Sequence, residues 1–93
     1  MPVTAIFHVP DMSTRQYDQI MRDLDAAGAG APDGRLYHVC NANGAGCVVV
    51  DIWSSPEKLE RFAETLFPIL AKNGVTPPRP EVLTAHNEVL GGR

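Results

Sequence analysis

At 93 residues, 44% hydrophobic and 20% charged, the chain fits one globular domain and excludes collagen-like, low-complexity and wholly disordered classes. Its net charge of −3 argues against nucleic acid or an anionic membrane as partner. Apolar runs fall short of the ~18 residues that span a bilayer, and Met1-Pro2-Val3-Thr4 does not read as a secretory leader, so the expected address is the cytoplasm. Two cysteines in that setting are expected as free thiols.

The chain opens with period-two alternation. From Pro2 to Val9, Val3, Ala5, Phe7 and Val9 face one way, and Thr4, Ile6 and His8 the other, until Pro10 ends the strand. Ser13 and Gln16 have capping-box spacing, and Tyr17, Ile20, Met21 and Leu24 follow at helical spacing. Gly28 and Gly30 stop this helix, and Ala31-Pro32-Asp33-Gly34 supplies a turn. Arg35 to Cys40 predicts a second strand, with Leu36, His38 and Cys40 on one face. Asn41 to Gly46 then reads as a hairpin loop. A turn centred on Asn43-Gly44 would set His38 opposite Val49 and Cys40 opposite Cys47.

Val48, Val49, Val50 and Ile52 make the third strand, interrupted by Asp51 and ended at Trp53. Ser55 before Pro56 predicts an N-cap with proline at the first helical position, and Ser54 with Glu57 offers a competing register one residue earlier. Leu59, Phe62, Ala63, Leu66, Phe67 and Leu70 mark the strongest amphipathic helix, from about Pro56 to Lys72, with a kink or early end expected at Pro68. Asn73-Gly74 closes it. Thr76 to Pro80 is a stiff connector, Glu81 to Leu90 a last strand, and Gly91-Gly92-Arg93 an expected frayed tail. The order β-α-β-β-α-β is α+β and ferredoxin-like: an antiparallel four-stranded sheet with two helices on one face, forming one domain over residues 1–93 with its core from about 3 to 89. The open face is expected to carry Ile6, Leu36, Val49, Trp53 and Val82, which is too much exposed apolar surface for a monomer and predicts a homodimer through the sheet face.

The passage Val49-Val50-Asp51-Ile52-Trp53-Ser54-Ser55-Pro56-Glu57-Lys58-Leu59 resembles the strand-to-helix passage of dimeric α+β-barrel proteins, among them antibiotic-biosynthesis-type monooxygenases, heme-degrading monooxygenases and stress-responsive barrel proteins. The resemblance implies a strand order with the last strand beside the first, then the third, then the second. In heme-degrading relatives a tryptophan placed like Trp53 packs on the porphyrin and a histidine on the second helix binds iron. The helix from Pro56 to Lys72 holds no histidine, so no cofactor is expected. By this resemblance the function would be that of a cofactor-independent monooxygenase- or isomerase-like enzyme acting on a small aromatic or polyketide-like molecule. The alternative is a non-catalytic small-molecule-binding or stress-related dimer.

His8, His38, His86 and Asp51 are assigned to one sheet face by parity with Ile6, Leu36, Thr84 and Val49. The expected catalytic set is His86 as proton acceptor, Asp51 as its orienting carboxylate and His38 as a polarising donor, since a histidine oriented by a carboxylate is a usable base. The pocket, between the open sheet face and the helices or partner strands, is expected to be lined by Ile6, His8, Leu36, Val49, Trp53 and Thr84. Asp51 paired with Arg35 at the dimer seam is the competing reading, and Tyr17 is assigned to the core. No compact ligand spacing predicts a metal, Gly28-Ala29-Gly30 follows a helix instead of opening one, and no serine sits in a nucleophile elbow.

Overall fold

The alternating N-terminal segment forms β1, Val3–Val9. In the computed structural model, which describes residues 1–91, it is followed by α1 (Thr14–Ala26), β2 (Arg35–Asn43), β3 (Gly46–Trp53), α2 (Pro56–Lys72) and β4 (Glu81–Thr84). Gly92 and Arg93, the end of the expected tail, lie outside the described residues. The four strands make one antiparallel sheet in the order β2-β3-β1-β4, as the resemblance implied. The architecture is the ferredoxin-like α+β fold.

Local chemistry sets the helix starts. Ser13 accepts from the Gln16 N–H and the Gln16 side chain accepts from the Ser13 N–H, a complete capping box. Ser55, not Ser54, caps α2, with Pro56 where a missing N–H costs nothing. The helix runs through Pro68 to Lys72 without the early end expected there. Pro68 and Glu64, whose carbonyl loses its donor, are both exposed to water. No helix among the described residues is long and apolar enough to cross a membrane.

The core lies between the helices and one sheet face: Val3, Ala5, Phe7 and Val9 from β1, Cys47, Val49 and Trp53 from β3, Ile20 and Leu24 from α1, and Leu59, Phe62 and Leu70 from α2. Val49 and Trp53 therefore face the helices, contrary to the open-face assignment. Ile6 pairs with Val50, so the open face carries Ile6, Val39, Val50 and Ile52, with Tyr37 and Leu83 more exposed. β3 is apolar on both sides, so its alternation alone does not say which side is covered.

Two registers differ from the sequence reading. The hairpin turns at Gly44-Ala45, with Asn43 opposite Gly46, so β2 extends to Asn43. Gly44 takes φ +62° at the first central position, as a type II′ turn demands, and this outweighs the Asn-Gly signal one residue earlier. His38 thus falls opposite Asp51 and Cys40 opposite Val49, leaving Cys40 and Cys47 diagonal neighbours with free thiols. β4 ends at Thr84, well short of Leu90, because its partner runs out: Thr84 is opposite Val3, and Ala85 makes a last bond to the Pro2 carbonyl.

Candidate functional site

Asp51 is the one buried charged side chain among the described residues. A carboxylate in an apolar layer needs donors, and it has two. His38 Nδ1 lies 2.5 Å from its Oδ1, and the Trp53 indole N–H donates to its Oδ2 at 3.2 Å. On the far side of the imidazole, the Tyr17 hydroxyl lies 2.6 Å from His38 Nε2, with the two rings within 8° of parallel. A carboxylate accepts, so Nδ1 carries the imidazole proton and Nε2 accepts from the tyrosine. The result is a directed line from Tyr17 through His38 to Asp51, with Trp53 holding the carboxylate from behind. Burial foremost, then the Cys40 thiol, raises the Tyr17 phenol above its ordinary 10.0, while Arg35 acts against them. Tyr17 therefore keeps its proton at neutral pH and serves as the donor.

This line opens on a cavity of about 50 Å³ between the sheet and both helices. Phe7, Val9, Val49, Phe62, Leu66 and Leu70 supply apolar wall, and Met12 and Met21 add two flexible thioethers. Arg35, Tyr17, His38 and Asp51 are its polar groups. Beyond Phe7 and Leu66, which line both spaces, a second hollow of about 450 Å³ runs between α2 and the β4 side, bounded by Leu59, Phe67, Pro80 and Val82. Among the described residues, no three His, Cys, Asp or Glu side chains gather as a metal ion requires.

The expected site residues separate into two groups. His38 and Asp51 come together, Trp53 touches Asp51, and Val49 lines the cavity. His86 does not join them: it lies exposed, two residues past the end of the β1–β4 ladder, whereas Asp51 is opposite Ala5 further along the sheet. His8 is exposed and Ile6 half-buried, both on the open face. Leu36 is exposed where the β2–β3 register shifts, and Thr84 is exposed at the sheet edge. The Asp51–Arg35 pair is not formed; Arg35 instead donates to the Gly30 carbonyl at 3.2 Å. Tyr17 is the participant the sequence reading assigned only to core. Its signal was a phenol on the buried stripe of α1, a group that needs a hydrogen-bond partner once buried.

Comparison with protein-family models finds no match, and comparison with curated proteins finds none. Solved structures do match. SnoaB, a cofactor-independent oxygenase from Streptomyces nogalater, superposes with a TM-score of 0.67 at 14% identity, over 95% of this chain and 96% of that one. Rv0793 from Mycobacterium tuberculosis gives 0.67 at 20% identity, over 97% and 100%. A Deinococcus radiodurans protein provisionally assigned as an antibiotic biosynthesis monooxygenase gives 0.62 at 12% identity, over the full length of both chains. The chain thus has the ferredoxin-like fold of the antibiotic-biosynthesis-monooxygenase-like α+β proteins.

Proposed function

We propose that the protein is a cofactor-independent enzyme that removes a proton from a compact aromatic or polyketide-like molecule. The observation that carries this reading is the Tyr17–His38–Asp51 line ending in an apolar cavity. The substrate's O–H or acidic C–H bond breaks and its proton passes to the Tyr17 oxygen. Tyr17 gives its own proton to His38 Nε2, and the electron pair stays on the substrate. Asp51 holds the imidazole in the tautomer whose Nε2 is free to accept. His38 thereby takes the acceptor role that the sequence reading gave to His86. A cavity of ~150 Å³ takes benzene, so the present space must widen, and the Met12 and Met21 thioethers are the side chains able to shift.

The working form is proposed to be a cytoplasmic homodimer through the open sheet face, where Ile6, Val39, Val50, Ile52 and Leu83 would otherwise stay wet. The free thiols of Cys40 and Cys47 fit a reducing compartment. Sedimentation showing only a 10.1 kDa species would refute the dimer.

The catalytic test is deuterium incorporation into β-tetralone, an enolisable aryl ketone, in heavy water. The native protein should accelerate exchange above buffer, and His38→Gln should lower that rate by ~10²–10⁴-fold with the fold retained. Exchange no faster than buffer would leave the alternative, a binding-only dimer. One observation favours that alternative: no buried side-chain polar atom in this network lacks a partner, as a purely structural network would also require.

A further inference from the structure

Arg35 is the cation lining the cavity, yet it has no carboxylate partner within ion-pair distance among the described residues. Its guanidinium donates to the Gly30 carbonyl and lies 5.9 Å from the centre of the Phe62 ring, which hold it in place without neutralising it. Its charge is felt at the Tyr17 phenol, where it opposes the effect of burial. Strict alternation would put Arg35 and His38, three residues apart, on opposite faces of β2. The register shift between Arg35 and Tyr37 inserts Leu36 as an extra residue, so Arg35 falls opposite Trp53 and His38 opposite Asp51, both toward the helices. Bulges of this kind re-aim side chains beside functional sites.

We infer that Arg35 is the anion-recognising residue of the site, selecting substrates whose deprotonated form carries its charge on oxygen: phenols, enols or carboxylic acids with a compact aromatic body. This inference rests on the proton-transfer reading above and names its substrate class. When the relay moves a proton from a neutral acid to His38, the cavity holds a carboxylate at Asp51, an imidazolium at His38, an oxyanion on the ligand and a guanidinium at Arg35. Each new charge then has an opposite charge beside it. An apolar cavity without Arg35 would oppose formation of that oxyanion.

The test uses benzoate and benzamide, which share shape and differ in charge, with binding followed by amide chemical-shift titration of the full chain. The native protein should bind benzoate about tenfold more tightly than benzamide. Arg35→Gln should weaken benzoate about tenfold and leave benzamide unchanged, while Arg35→Lys should retain part of the preference, since a lysine keeps the charge without the planar fork. No preference in the native protein, or the same preference in Arg35→Gln, overturns the inference. Equal losses for both ligands also overturn it, because they would make Arg35 a packing residue on Phe62. Failure of both ligands to bind the native protein overturns this inference and the pocket reading together. An Arg35-dependent preference without His38-dependent exchange upholds anion recognition and removes only the catalytic reading.

Discussion

Replacing Asp51 by alanine should cost far more than an ordinary surface change, because of what it leaves behind. Trp53 is 0% exposed, so its indole N–H, now bonded to Asp51, has no water to turn to. The His38 side chain is 19% exposed and recovers part of its lost bond from solvent. An orphaned buried donor costs ~1–3 kcal/mol, so one full and one partial orphan sum to about 2–5 kcal/mol. In a domain of this size each kcal/mol moves the melting temperature by about 4–8 °C, so Asp51→Ala should melt about 8–40 °C below the native protein. The assay is thermal unfolding by circular dichroism, run also for His38→Leu and the double variant. His38→Leu should cost less in the Asp51→Ala background than in the native one, because that donor is already deprived of its partner. A melting temperature within about 2 °C of native, or strict additivity of the two changes, would show that the buried network does not stabilise the fold.

Tyr17 gives the molecule an alkaline limit. Its folded pKa lies above the unfolded value, so its contribution is complete below about pH 10 and falls as the unfolded chain releases the proton first. Urea midpoints measured through that range should decline in the native protein and decline less in Tyr17→Phe; equal slopes would refute the buried phenol. The cysteines give a chemical test. Burial, then hydrogen bonding to Cys47, pushes the Cys40 thiol up to about 12. Iodoacetamide at mildly alkaline pH should therefore label anaerobically purified native protein slowly and both thiols rapidly after denaturation. Finding no thiol after denaturation would mean a disulfide.

The elements were legible because their signals are local. Ser13 with Gln16, Ser55 with Pro56, and glycines beyond both helices act through neighbouring backbone, and the helix boundary at Lys72 follows from them. The site was half legible. Asp51 stood out as a charge in an apolar strand, and His38 lay on the adjacent strand of a hairpin, but their pairing depended on a turn placed one residue from the expected one. His86 was misplaced through strand length: the last strand was expected to run from Glu81 to Leu90, whereas the β1–β4 ladder ends at the Val3–Thr84 pair, two residues before His86. Arg35 was hidden by the bulge at Leu36, which breaks the two-residue period on which face assignment relies. Tyr17 lies where a core residue would lie, and only the imidazole hydrogen-bonded to its hydroxyl distinguishes it.

Trp53 is the chain's single tryptophan, fully enclosed, with its N–H on Asp51 and its ring 5.3 Å from that of Phe62, centre to centre. The protein therefore carries an intrinsic fluorophore wired to its own buried carboxylate. All indole emission comes from one dry environment, so its wavelength reports on the polarity behind Asp51 without contribution from any other tryptophan. A shift of charge along the Tyr17–His38–Asp51 line would change the electric field at that indole, and so would an anion seated near Arg35. Unlabelled native protein can consequently be followed in real time by light alone, with Asp51 as the coupling between the buried network and the signal.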